Sequence, residues 1–361
     1  MRARTRQVVA ALVAGLVAMP LAACGRDDEA GGDRRFTVGL LLPSRELPRW
    51  ERYDKPLIEK RVKSLCPGCS VTYANAENDA TRQSQQMISM ITKGARVLIV
   101  DAADTRAVRS SVQEARRAGV HVVAYDRLAE GPVSGYVSFD GAQVGRLQGE
   151  ALLSAMGDHA RRGSVVMMNG DPVSPNAAWY RRGALSVLEG KVRIGRSYDT
   201  PGWSTENAHA NMAAAIAALG PDRIGGVLAA NDAMAAGVIS ALKGARVRSL
   251  PPVTGQDAEL DAVRRIVKGE QYMTVYKPFK AEAAAAAAMA VTLGRGGDPR
   301  DVATTTADSP TTRGIPAVLL TPRAVTARDI DRMLVKDRVY TVEQICTRQL
   351  RPACDKAGLL P

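Results

Sequence analysis

The chain has 361 residues, with 49 Lys and Arg against 37 Asp and Glu for a net charge of +12, and only three tryptophans. A basic protein invites a nucleic-acid reading, but the sequence has no clustered basic stripe, zinc-finger spacing or helix-turn-helix signal. Attraction to anionic envelope polymers or lipid headgroups is the milder inference.

At the N-terminus a basic stretch, MRARTRQ, precedes VVAALVAGLVAMPLAA, an apolar run of secretory length ending in small residues. Gly15 and Pro20 interrupt it, and it is short for a membrane span. LAAC resembles a bacterial lipobox, in which cleavage falls before the cysteine, here Cys24, and the lipid is attached to it. An ordinary secretory cleavage nearby is the alternative. Residues 1–23 are therefore expected to be a lipoprotein signal peptide. Residues 24–35, charged and without apolar periodicity, are expected to be a flexible tether. Losing residues 1–23 removes three arginines, and the net charge falls from +12 to +9. Export weakens the nucleic-acid reading further. The remaining 338 residues exceed one typical core and imply two lobes.

From Phe36 onward strand and helix alternate. RFTVGLLL reads as a strand, 54–65 as a helix, SVTYANA as a strand and ATRQSQQMISMITKG as a helix with Met87, Ile88 and Ile91 at helical spacing. ARVLIVDA reads as a buried strand, TRAVRSSVQEARRAG as a helix and VHVVAYD as a strand. Such a βα repeat builds a parallel sheet with helices on both faces and right-handed crossovers. After GYVSFD the pattern restarts, with helices over GAQVGRLQGEALLSAM, NAAWYRRGALSVLEG, TENAHANMAAAIAALG, AMAAGVISALKG and AELDAVRRIVKG. Between and after them come strands at GSVVMMNG, KVRIGRSYD, IGGVLAAND, a short one at PPVTGQD, and YMTVYKP. The Ala-rich helix FKAEAAAAAAMAVTLG has little amphipathic bias and is expected to be buried or closely packed. A last strand falls near PAVLLTP, and RQLRPACDKAGLLP reads as an irregular tail.

Beyond Cys24 the cysteines are Cys66, Cys69, Cys346 and Cys354, an even count that favours disulfides in an exported protein. CPGC also matches a thioredoxin-like redox motif, but it follows a helix rather than opening one. A four-cysteine zinc site is weaker still, because only one pair has C-x-x-C spacing. Of three possible pairings, Cys66–Cys69 and Cys346–Cys354 close short loops at little entropic cost and are expected, away from the ligand cleft.

Ligands of open parallel sheets bind at the carboxyl ends of the strands. The loops there carry Arg49, Trp50, Asp126, Arg127, Asn176, Trp203, Asn231, Asp257 and Lys277. Carboxylates and amides bind adjacent hydroxyls, and Arg and Lys donate charge-assisted bonds. An indole covers the C–H face of a sugar ring. This inventory suits a carbohydrate and lacks what most catalysts need. The only histidines are His121, His159 and His209, and there is no nucleophile elbow, phosphate-cradling glycine loop or His-based metal motif. Asp126 and Asp257 would also suit a glycosidase pair, but with so many basic residues alongside, hydroxyl binding is the better reading. No cofactor or metal is expected.

RW, AYDR, SFD, DPVSPNAAWYRRG, GW with ENA, AANDAMAAG, GQDAEL and MTVYKP occur in that order. Through them the chain, from about Phe36 to about Val339, resembles the substrate-binding proteins of bacterial sugar ABC importers, near the xylose- and multiple-sugar-binding branch. The resemblance implies the type I periplasmic binding protein fold: α/β, with two Rossmann-like lobes whose parallel sheets are joined by a three-strand hinge. One lobe would comprise 36–139 with 280–319 and the other 140–279 with 320–345, leaving 346–361 as a tail. In the implied interlobe pocket Trp50 and Trp203 sandwich the sugar, and Arg49 bonds a hydroxyl. Asp126 and Arg127 share the ring oxygen or hydroxyls, Asn176 and Arg181 make polar contacts, Asn231 and Asp257 bind hydroxyls, and Lys277 is the last donor. Trp179 and Tyr180 carry no assigned role. The charged members, Arg49, Arg127, Arg181 and Lys277 against Asp126 and Asp257, leave a net +2, which makes an acidic sugar a competitor. The cysteine pairs, the C-terminal extension, Asp171 in NGDP as an added carboxylate near the cleft, and Pro201 before GW depart from the family pattern.

The implied protein is a lipid-anchored, monomeric solute-binding protein at the outer face of the cell membrane. It would capture a monosaccharide, xylose or a similar aldopyranose, and deliver it to an ABC permease; it would bind no nucleic acid and would not be an enzyme. The alternative is a sensor subunit reporting a sugar or signal molecule to a membrane kinase. The free protein is expected to be open and to close when a sugar bonds groups of both lobes.

Overall fold

The computed structural model describes residues 35–360; the expected signal peptide and Cys24 lie outside the described residues. The first elements are β1 (Thr37–Leu42), α1 (Lys55–Leu65), β2 (Ser70–Asn75), α2 (Ala80–Thr92), β3 (Ala95–Val100), α3 (Arg109–Arg117), β4 (His121–Tyr125) and β5 (Gly135–Phe139). Pleating sends alternate residues to opposite faces of the sheet. Val38, Leu40, Leu42, Val97, Ile99, Val123 and Tyr125 pack on the side of α1. Leu41, Leu98, Val100, Val122 and Ala124 pack with Met87 and Met90 of α2 and Val112 and Ala115 of α3.

Next come α4 (Gly141–Met156), β6 (Ser164–Met168), α5 (Pro175–Leu188), β7 (Arg193–Tyr198), α6 (Thr205–Leu219), β8 (Ile224–Ala229), α7 (Asp232–Gly244) and α8 (Leu260–Val267). β6, β7 and β8 form a second parallel sheet, with Val166 and Met168 turned to α6 and α7 and Val165 and Met167 to α4 and α5. The chain ends with β9 (Thr274–Tyr276), α9 (Phe279–Gly294), β10 (Thr305–Ala307), β11 (Ile315–Leu320), β12 (Arg323–Val325), α10 (Val342–Ile345) and α11 (Arg351–Lys356). β11 pairs in parallel with β5 and β10 adds an antiparallel edge, which makes the large sheet seven-stranded in the order β10-β11-β5-β4-β3-β1-β2. β9 and β12 pair antiparallel beside the smaller sheet. α9 returns to the large sheet and lays its alanines against β3, β4, β5 and α1. The chain therefore passes between two lobes after β5, after β9 and after β11.

Three local expectations are corrected. PPVTGQD is not a strand: Val253 makes a single parallel bridge to Val227, since Pro251 and Pro252 lack the N–H a ladder requires. The tail is not irregular, because α11 lies in it and Leu350, Cys354 and Leu359 are buried with Tyr276, Val325 and Tyr340. The helix over 54–65 starts at Lys55, after a wide π-type turn over Trp50–Asp54. Both short-range disulfides form, Cys66–Cys69 with Cα atoms 5.3 Å apart and Cys346–Cys354 with 5.9 Å. Among the described residues no helix is long and apolar enough to cross a membrane.

Candidate functional site

The carboxyl ends of strands from both lobes meet at a small cavity. Arg49, Trp50, Asp126, Arg127, Asn176, Trp203, Asn231, Asp257 and Lys277 all line it, and Leu47, Tyr180 and Gln256 complete it. All nine of the former are buried, so the lobes are closed over the cavity. Arg181 is not brought there. Asn176 and Tyr180 are four residues apart and share the inward face of α5, whereas Arg181 is turned a further 100° or so and is exposed. The half-buried Asp171 does not line the cavity either. Its Oδ2 accepts from Gly202 N at 2.8 Å and so shapes the turn that carries Trp203.

Three lining residues have left-handed backbone: Asp126 (φ 51°), Trp203 (φ 57°) and Asp257 (φ 95°). Such conformations cost on the order of 1–3 kcal/mol each and persist where surrounding structure enforces them. At Asp126 the carbonyl is held by Ser138 Oγ at 2.8 Å, Tyr136 OH at 3.0 Å and Asn176 Nδ2 at 3.2 Å. At Asp257 the amide donates to Val275 O at 2.9 Å, and Tyr340 OH donates to the next carbonyl, Ala258 O, at 2.9 Å. The Trp203 ring lies flat on Gly170, where a Cβ would sit 2.0 Å from Cη2.

Arg49 is 1% exposed and commits all five of its N–H groups. Nε and Nη2 donate to Asp54 at 3.1 and 2.9 Å, Nη2 also to Glu282 at 2.8 Å, and Nη1 to Asp126 at 3.0 Å and more distantly to Asp257 at 3.5 Å. Its guanidinium carbon lies 4.0 Å from the Trp50 ring centroid and 4.6 Å from that of Phe279. The expected bond from Arg49 to a ligand hydroxyl therefore has no donor left to make it. Lys277 Nζ bridges Asp126 at 3.3 Å and Asp257 at 3.0 Å. Arg127 donates to Ala102 O at 3.0 Å and lies 3.5 Å from Asp101. Burial alone would raise the Asp126 carboxyl, but Lys277, Arg49 and Arg127 pull it down to about 2. Burial pushes Glu282 well above its ordinary value against the pull of Arg49, and does the same to Asp101 against Arg127.

Opposite these paired charges, Asn176 Oδ1, Asn231 Nδ2, Gln256 Oε1 and the Nε1 atoms of Trp50 and Trp203 are buried without a hydrogen-bond partner among the described residues. Each such atom costs about 1–3 kcal/mol unless something satisfies it. A ligand with several hydroxyls and an apolar ring face would satisfy them while covering the indoles. Sequence reasoning left Tyr180 unassigned and missed Gln256, although GQD already stood among the strand-end loops. Asp54, Glu282 and Asp101 were also missed. The one signal for Glu282 was a lone acid in an otherwise alanine-rich helix.

Relatives share most of this length. The D-xylose-binding periplasmic protein of Escherichia coli K12 is 35% identical over 321 residues, 86% of this chain and 93% of the relative. The multiple sugar-binding periplasmic receptor of Rhizobium radiobacter is 31% identical, over 86% and 92%. An ABC transporter solute-binding protein from Clostridium phytofermentans, solved with β-D-glucose, superposes with a TM-score of 0.80 at 29% identity, covering 86% of this chain and 99% of that one. These are binding and receptor proteins, not enzymes. Residues 38–298 match the periplasmic binding protein domain, and with that match and those relatives the chain belongs to the periplasmic binding proteins, in their type I fold.

Proposed function

We propose that the chain is a receptor for a neutral monosaccharide, xylose or a similar aldopyranose, which it hands to an ABC permease while a lipid on Cys24 holds it at the outer face of the membrane. The lobes would be 36–139 with 280–319 and 140–279 with 320–345, closing on a sugar stacked between Trp50 and Trp203. The observation that carries this reading is the set of five unpartnered buried polar atoms around a cavity walled by two indoles. Asn176, Asn231, Gln256, Asp257 and Lys277 would meet hydroxyls from one lobe, and Asp126 and Arg127 from the other. The relatives' names, for xylose and for multiple sugars, point the same way.

An acidic sugar is a poorer candidate than composition implies. Arg181 lies outside the cavity, while Asp54, Glu282 and Asp101 crowd Arg49 and Arg127 with carboxylates. A thermal-shift screen over pentoses, hexoses and a hexuronic acid tests the proposal. A ligand at a hundred times its Kd stabilises by about 2.7 kcal/mol, a shift of several degrees. If xylose, glucose, galactose and arabinose all leave melting temperature and tryptophan emission unchanged at millimolar concentration, the neutral-aldose reading fails. Sugar uptake in a deletion strain separates transport from signalling to a kinase.

A further inference from the structure

We infer that Glu282, at the start of α9 and outside the lining of the cavity, is a positioning residue for the pocket: by accepting from Arg49 it fixes the guanidinium that backs Trp50 and links the two lobes. This rests on the reading that the lobes close around a sugar stacked on Trp50.

α9 carries only two charged residues, Lys280, which is exposed, and Glu282, which is fully buried. Packing of an alanine-rich helix against a sheet has no use for a buried acid, and a carboxyl group in that position is costly unless it is paired. Its Oε2 accepts from Arg49 Nη2 at 2.8 Å, while Oε1 has no partner among the described residues. Asp54 takes the other edge of the guanidinium through Nε and Nη2, and Tyr125 OH donates to Asp54 in turn. Gripped on that side, the guanidinium plane is set between the rings of Trp50 and Phe279. Nη1 is then the only part directed onward, to Asp126 in the larger lobe and Asp257 in the smaller one. Lys277 closes the ring by touching the same two carboxylates. Loss of the Glu282 acceptor frees an Nη2 hydrogen in a buried site and lets the guanidinium turn away from Trp50 and Asp257.

The test compares Glu282→Ala, Glu282→Leu and Glu282→Gln in the full chain. Kd is measured by calorimetry for the sugar found in the shift screen. The interlobe distance is read by energy transfer between labels at Ser89→Cys and Ala213→Cys, both exposed positions on α2 and α6. Emission of Trp50 is read in a Trp179→Phe, Trp203→Phe background. Ala and Leu are expected to raise Kd about tenfold or more, to shift Trp50 emission to the red and to lower the closed fraction. Gln keeps an acceptor for Nη2 and is expected to stay within about threefold of the parent, since it retains the bond without a full charge. A lowered melting temperature with Kd, emission and distance unchanged would reduce Glu282 to a structural residue and overturn the inference, as would equal losses for Gln and Ala. If no sugar binds even the parent, the monosaccharide reading fails by itself, and the Trp50 emission of the ligand-free variants still decides the role of Glu282.

Discussion

The charged groups and the amides of the cavity hold their hydrogen-bonding atoms in different conditions. From the larger lobe come Arg49, Asp126 and Arg127, and each is already paired: Arg49 with four carboxylates, Asp126 with Arg49 and Lys277, Arg127 with Asp101. From the smaller lobe come Asn176, Asn231 and Gln256, each with one buried amide atom that meets nothing among the described residues. Charges paired with one another are held in place and offer little that a neutral ligand could replace. An amide held open in a buried site gains a full hydrogen bond when a hydroxyl arrives. The contrast teaches that abundance of charge does not locate recognition. On this view the paired charges, which reach both lobes through Asp257 and Lys277, present a fixed platform, and the amides with the two indoles read the ligand.

The largest expected effect comes from breaking the platform. Asp126→Ala removes the carboxylate shared by Arg49 and Lys277, which leaves Arg49 to Asp54 and Glu282 and Lys277 to Asp257 alone, a change worth roughly 3–5 kcal/mol of stability. Urea denaturation should show it as a lower midpoint at unchanged slope, and sugar binding should vanish with it. An Asp126→Ala protein as stable as the parent would mean that the larger-lobe charges are not a structural network.

A smaller effect, mostly on binding, is expected across the cavity. Asn176→Ala removes the unpartnered Oδ1 and also a donor, Nδ2, which reaches Asp126 Oδ1 at 2.9 Å. Affinity should fall by about 1–3 kcal/mol, roughly 5- to 150-fold, while the melting temperature falls by less than in Asp126→Ala. Gln256→Leu should separate the two quantities further. Removing a buried acceptor that lacks a partner is expected to raise the melting temperature of the ligand-free protein slightly and to weaken the sugar. If both substitutions lower stability as much as Asp126→Ala, the charges and the amides are not different in kind.

Much of this arrangement was legible from sequence, for definable reasons. The near-continuous apolar runs in TVGLLL and ARVLIV announce strands buried on both faces, and strand-end loops collect at one edge of any parallel sheet. That was enough to name nine lining residues. Arg181 was misplaced, because PNAAWYRRG sets two arginines beside an inward-facing Tyr180 and the helical phase turns Arg181 to solvent. The role of Arg49 was out of reach for a different reason. Its partner Glu282 is 233 residues away, and no local pattern connects them. β10 and β12 have three residues each, too few to display a period.

The last effect sets Asp126 against the acids that burial lifts, by the sign of their pH dependence. In the larger lobe the Asp126 carboxyl is held down at about 2, opposed by burial but pulled by Lys277, Arg49 and Arg127. Its ordinary value is about 3.9, so the stability it contributes is present above pH 4 or so and is lost as pH falls toward 2. In the smaller lobe, burial lifts Asp232 to about 7, and burial together with Asp232 and Asp257 lifts Glu259 to about 8. For these two the unfolded chain releases protons first, so their contribution is greatest below about pH 4 and is lost as pH rises through 7 and 8. Melting temperature should therefore decline gently between pH 5 and 8.5, a range in which Asp126 stays ionised. Asp232 accepts from Gln271 Nε2 at 2.7 Å, Thr274 Oγ1 at 2.9 Å and Glu259 N at 2.9 Å, and an amide there would turn a donor toward a donor. Glu259 has an unpartnered Oε1 and is the cleaner position to alter. Glu259→Gln should flatten part of the decline, Asp232, Glu282 and Asp101 carrying the rest, and leave the acid limb below pH 4 untouched. An unaltered slope in that variant, or an acid limb that shifts with it, would mean that Glu259 does not carry its share of the alkaline sensitivity.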